Sequence, residues 1–244
     1  MTSTALPLFY VRPRPLQPKL HDKLSLAPQA GYGFAKRTNS VPLVAGEMAN
    51  ACRHFPIVFA GGAQPSTAAV LGLRDQENLF VAADGQWRAG AYIPAYIRRY
   101  PFIFVENEDQ SQFTLCIDEE AASVVEGDGN PLFDPAGEPT ELTRHALEFC
   151  RDYQHQHAYT MEFCRAVSDA GLLIENRADI TLPDGQHLSL TGFKVIDENK
   201  FNQLPDEVFL RWRAKGWVAL VYCHLISINT WSTLIGQPGL PGGK

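Results

Sequence analysis

The longest helical pattern in the chain, residues 139–171, sets the terms for what surrounds it. Leu142, Ala146, Phe149, Tyr153 and His157 form one stripe, and Glu141, His145, Glu148, Asp152 and His155 form the polar one. Gly171 is a natural stop. No comparable helix precedes it. The first half instead carries short apolar runs, "PIVFAGG", "AAVLGL", "NLFVAA", "PFIFVEN" and "QFTLCID", with a hairpin cue at Asp84-Gly85. After it, "LLIENRADITLPDGQHLSLTGFKVI" reads as a β-hairpin turning at Pro183-Asp184-Gly185, and "LPDEVFLRWRAKG" as a helix with acids in its first turn and Gly216 near its end. The order predicts an α+β fold: an antiparallel, strand-rich N-terminal half, then a long helix, a β-hairpin and C-terminal helices.

Residues 1–30 are rich in proline and are expected to run extended, with a short strand at Leu8–Val11. Val41-Pro42 is expected to turn the chain into a helix capped by Ser40 and carried to Pro56, a reading that Gly46 weakens. "YIPAYIRRY" reads as one or two helical turns, with Tyr92, Tyr96 and Tyr100 on one face. The expected organisation is an extended leader over 1–30, one α+β domain over 31–235 and a flexible tail over 236–244. An acidic, Gly- and Pro-rich loop near 119–138 is the best internal boundary.

At 45% hydrophobic and 20% charged residues, the chain falls among globular proteins and not disordered ones. Its 21 basic and 27 acidic residues leave a net charge of −6, which argues against nucleic acid as a partner. The five cysteines, Cys52, Cys116, Cys150, Cys164 and Cys223, are odd in number and widely spaced, so reduced thiols are expected. Cys150 and Cys164 fall about 21 Å apart along one helix, beyond disulfide reach. The N-terminus lacks the pattern of a signal peptide. Together these features predict a cytoplasmic protein.

Trp217–Ile235 has no formal charge when His224 is neutral and is long enough to be considered as a membrane span. His224, Ser227, Asn229, Thr230, Ser232 and Thr233 interrupt it all round. A helix in a soluble core is the expected reading, with no integral membrane span.

Most familiar chemistry is excluded. "GYGFAK" begins like a dinucleotide loop but lacks the third Gly and the preceding strand. Neither a P-loop nor a GxSxG elbow occurs. The "HQH" at 155–157 places its histidines about 200° apart on a helix, so they cannot share an ion. Cys52 and His54 fail in the same way if their segment is helical. The run "EGDGNPLFDPAGE" puts Phe133 and Pro139 where a calcium loop needs Gly and Glu. No metal and no cofactor are expected. Cys116 precedes Asp118 and Glu119, which disfavours its thiolate.

Two polar clusters stand out. "LRDQENLF" sets Arg74, Asp75, Glu77 and Asn78 between apolar runs, either a salt-bridged turn or a recognition loop. "IRRYPF" sets Arg98 and Arg99 beside tyrosines, either a helix end or a place for carboxylate or phosphate recognition.

The ordered series "YGFAKRTNSVPLVAGEM", "HFPIVFAG", "VLGLRDQENLFV", "YIPAYIRRYPF", "TLCIDE", "LFDPAGEPT" and "TGFKVIDENKFNQLPDE" resembles the SapC family of bacterial proteins, from about residue 20 to 235. That family takes its name from genes associated with surface-layer protein secretion. Members also occur near outer-membrane receptors and flavin-dependent halogenases. A peptide-transporter permease that shares the name would need several membrane spans and does not fit. The resemblance implies an accessory or binding protein linked to secretion or outer-membrane uptake, with a protein or small-molecule partner. An enzyme of unrecognised type acting on a small molecule is the alternative. It carries no established active site. The polar members of the matched motifs, Arg74, Asp75, Glu77, Asn78, Arg98, Arg99, Asp118 and Glu119, are the candidate binding surface.

Overall fold

The structure, a computed structural model, describes residues 6–28, 31–62, 64–106, 113–182 and 185–235. Its first elements are β1 (Pro13–Pro15), α1 (Pro18–His21), β2 (Leu24–Leu26), β3 (Ser40–Pro42), α2 (Met48–Ala51), β4 (Ile57–Ala60) and β5 (Ser66–Val70). Then come α3 (Ala95–Arg98), β6 (Phe102–Glu106), β7 (Phe113–Asp118), β8 (Val124–Glu126), β9 (Asn130–Pro131) and α4 (Glu141–Asp169). The chain continues through β10 (Leu173–Thr181), β11 (His187–Ile196), α5 (Glu198–Asn202), α6 (Asp206–Ala214), α7 (Trp217–Ser227) and α8 (Trp231–Ile235). This is the α+β order that the sequence predicts. Two compact units share the chain: Met1–Phe34 with Ile97–His155, and Ala35–Tyr96 with Gln156–Lys244.

In the first unit, β7 lies between β1 and β6, both antiparallel to it. Pro13 stands opposite Asp118, and Phe102 opposite Ile117. Proline has no N–H for a ladder, so β1 is confined to a sheet edge. The strand expected at Leu8–Val11 does not form. The chain turns there, with Tyr10 N–H bonded to Pro7 C=O and Phe9 at φ 81°. A second small sheet places β2 between β8 and β9, so the acidic stretch near 119–138 supplies two strands and is not wholly loop. The apolar sides of these sheets meet the N-terminal half of α4. Phe102, Leu115, Ile117, Leu132, Phe133 and Cys150 are buried there, and Leu142 and Ala146 pack against them.

The second unit is built on an antiparallel sheet of order β10-β11-β4-β5-β3. Ile57, Val58 and Phe59 of β4 and Thr67, Ala69 and Val70 of β5 are all buried, as expected for central strands covered on both faces. Val41-Pro42 belongs to β3, where Ser40 pairs with Val70 and so caps no helix. The helix expected up to Pro56 shrinks to a 3-10 turn at Ala45–Glu47 followed by the four residues of α2. Glu47 accounts for this, because its carboxylate accepts the Val44 N–H and starts a new helical turn there. "NLFVAA" forms no strand; only Val81 bridges to Trp87, around the Asp84-Gly85 turn.

α3 is a single turn. Tyr92 and Tyr100 lie outside it, so the three tyrosines do not form one helical face. Tyr92 donates to Glu47, whereas Tyr100 donates to Asp118.

The β10–β11 hairpin carries a bulge between Asn176 and Ala178, and only Phe193 and Lys194 of β11 pair with β4. Its expected turn at Pro183 and Asp184 lies outside the described residues, as does the tail from 236. Asp197 caps α5 by accepting from the N–H groups of Asn199 and Lys200. In α7, Trp217, Val221, His224 and Ser227 form the buried stripe. His224 Nδ1 donates to the Ile57 carbonyl (2.8 Å), and its Nε2 accepts the Ile196 N–H (3.0 Å). Ser227 Oγ accepts the Ile57 N–H (2.9 Å) and donates to the His224 carbonyl (2.6 Å). The helix thus closes the ends of β4 and β11.

The apolar stretch Trp217–Ile235 breaks into α7, a 3-10 turn and α8. By length and composition it passes as a membrane-crossing helix, with a mean hydropathy of 1.4. Only 28% of its most apolar window is buried. The expectation of a buried core helix therefore holds for one stripe only. The opposite face exposes Tyr222 (45%) and Ile226 (55%).

Candidate functional site

The eight residues singled out in the sequence divide between the two units. Arg74, Asp75, Glu77 and Asn78 belong to the second. There the loop after β5 braces itself. Glu77 Oε1 meets Arg74 Nη1 at 3.0 Å, and Glu77 Oε2 accepts the N–H groups of Leu73 and Arg74. Arg74 Nη2 donates to Gln186 at 2.7 Å. Asn78 is buried, donating to the Ala35 carbonyl and accepting the Phe80 N–H. Asp75 is exposed and receives a bond from Asn39 at 3.4 Å. Gly72 allows the tight return: a Cβ there would lie 2.0 Å from the Glu77 carbonyl oxygen.

The other four lie in the first unit. The Arg98 guanidinium sits 5.0 Å from the centroid of Phe149, and that of Arg99 sits 4.4 Å from Tyr153 and 5.8 Å from Tyr10. Asp118 is fully buried. It accepts the N–H groups of Val11 and Arg12 and the Tyr100 hydroxyl, whose pKa is raised by burial and by Asp118. Glu119 pairs with Arg12 (3.0 Å) and with the buried His21 (3.1 Å). His21 Nδ1 lies 3.0 Å from the Gln17 nitrogen and 3.1 Å from its carbonyl oxygen, and Nε2 faces Glu119. These groups tie the leader to β7.

Among the described residues no three His, Cys, Asp or Glu side chains converge to hold a metal ion. Burial pushes the Cys116, Cys164 and Cys223 thiols up to about 11 and that of Cys150 to about 12. They are therefore held as neutral apolar groups.

A third constellation escaped the sequence reading. In the second unit, Arg53, His54 and Arg88 line a cleft of about 190 Å³ with Phe80, Ala89, Gly90, Ala91 and Thr233. Among the described residues no acidic side chain lines it. Arg53 and His54 follow α2, where the N–H groups of His54 and Phe55 both bond to the Ala51 carbonyl. Arg88 opens a turn closed by Ala91 N–H to Arg88 C=O, with Gly90 at φ 76°. Aromatic rings bring the two stretches together: Phe55 meets Phe80 edge-on at 4.6 Å, and Phe80 stacks on Trp87 at 5.8 Å. His54 is half-buried. Desolvation, then the charges of Arg53 and Arg88, lower its pKa. A wider depression of about 770 Å³ in the first unit mixes Lys19 with Asp22 and Asp134 and has no single sign of charge.

What these features define is an α+β protein with a small cationic cleft. The family model for SapC matches residues 16–234, so the chain belongs to the SapC family. No curated protein and no solved structure matches it.

Proposed function

We propose that this SapC-family chain is a cytoplasmic accessory protein that binds a protein partner in a surface-layer secretion or outer-membrane uptake system. The apolar face of α7 supports the reading. Tyr222 and Ile226 lie one helical turn apart and are about half exposed, on a helix whose other face is buried. Large exposed apolar side chains on one helix face suit docking against another protein. The test is affinity capture from the native cell with wild-type protein and with a Tyr222→Lys/Ile226→Lys variant. A component of an export or uptake system retained by wild type and lost with the variant is the expected result. Capture of the same proteins by both would remove the face from consideration. Fractionation of the full chain without detergent, with the protein in the soluble fraction, is the expected outcome for location.

A second reading, an enzyme acting on a small molecule, draws on His54. An imidazole that shares a cleft with two cations, its pKa lowered by burial and by their charges, can accept a proton from a bound acid. Turnover of a small anionic substrate, lost in His54→Gln, would favour it over the binding reading.

A further inference from the structure

We propose that the cleft bounded by Arg53, His54 and Arg88 is a binding site for a dianionic phosphate group, free or on a small phosphomonoester. This inference is independent of the docking face on α7.

The protein carries a net charge of −6, so basic side chains have abundant potential partners. Arg74, Arg177 and Lys194 take theirs from nearby acids. Arg53 and Arg88 form no ion pair among the described residues; other exposed cations such as Arg37 and Arg213 are also unpaired, but these two share one cleft with His54. Two guanidiniums and an imidazole held together without an acid repel one another. A dianion between them replaces that repulsion with attraction and balances the two fixed positive charges.

Guanidinium forks match the spacing of phosphate oxygens and bind them through paired, charge-assisted hydrogen bonds. The tetrahedral group offers enough oxygens for both forks and the imidazole together. The cleft volume of about 190 Å³ is enough for a phosphate group with a few further atoms. Phe80, Ala89 and Ala91 supply an apolar wall that can meet a short carbon chain. The Arg88–Ala91 turn and the Phe55–Phe80–Trp87 rings hold in place the two stretches from which the cations project. His54 reports on the event: an arriving anion opposes the lowering by Arg53 and Arg88, so His54 takes up protons more readily when the site is filled.

The experiment is titration of the full-length protein with inorganic phosphate, glycerol phosphate and acetate, followed by calorimetry and by the NMR pH titration of His54. Saturable phosphate binding with an upward shift of the His54 midpoint is expected. Arg53→Gln/Arg88→Gln should weaken it at least about tenfold, while Arg53→Lys/Arg88→Lys should retain part of it. Tighter binding of glycerol phosphate than of phosphate would place the natural ligand among phosphomonoesters; equal binding would point to the free ion. Acetate binding as tight as phosphate, no saturable binding of either phosphate, or a His54 midpoint unmoved by saturating phosphate would overturn the proposal. All three readouts use wild-type protein, so they stand even if a variant misfolds.

Discussion

His224 shows how one buried side chain can hold two strands. Its ring donates to the Ile57 carbonyl and accepts from Ile196 N–H, so it works only as a neutral imidazole. Burial lowers its pKa from 6.5 to about 4, with the bond to Ile57 acting in the opposite direction. The unfolded chain therefore binds the proton more readily. His224 stabilises the fold fully above about pH 6.5, and that stabilisation is lost as pH falls from there through about 4. A shift of this size corresponds to a loss on the order of 3 kcal/mol. Urea unfolding at pH 7 and pH 4.5 should show the drop, and His224→Gln should flatten it. Asp118 is the counterpart in the first unit. Asp118→Ala removes the acceptor for two leader N–H groups and the Tyr100 hydroxyl, and should cost about 3 kcal/mol and open residues 6–12 to protease. The buried thiols give a third expectation at this scale. A thiol reagent at pH 7 should react slowly with Cys116, Cys150 and Cys164 in the native protein and rapidly after denaturation, because all three are buried.

At the scale of elements, local signals were readable and distant pairings were not. The α4 stripe, the β10–β11 hairpin and the helix of "LPDEVFLRWRAKG" follow from periods and turn residues, whereas α5 and its Asp197 cap carried no such signal. β1 could not be placed in advance, because the pairing of Pro13 with Asp118 crosses over a hundred residues and nothing in "VRPRPL" marks it. The candidate site divides in the same way. Arg74, Glu77 and Asn78 were visible as a polar connection, and the structure places them as a self-braced turn. Arg53, His54 and Arg88 were not visible as a group: aromatic packing assembles them from two separate stretches, and His54 next to Cys52 suggested only a failed chelate. Gly72 was equally silent. Gly72→Ala would drive a methyl into the Glu77 backbone and should destabilise the protein by at least about 2 kcal/mol, measurable by thermal unfolding.

At the scale of the whole molecule, each unit is assembled from segments far apart in the chain. The second needs β11 beside β4 and His224 against both. A chain cut after residue 140 keeps β3, β4 and β5 but loses β11 and α7. Circular dichroism of that fragment should show little fixed structure, and co-expression with residues 141–244 should restore solubility.

The position of His224 also bears on how the protein is made. β4 leaves the ribosomal exit tunnel long before its closing histidine is translated. At about 5–20 residues per second, the roughly 160 intervening residues take about 10–30 s. For that interval Ile57, Val58 and Phe59 stand without the strand and helix that will cover them. The nascent second unit is therefore a natural client for holding chaperones, and its final closure comes at or after release from the ribosome.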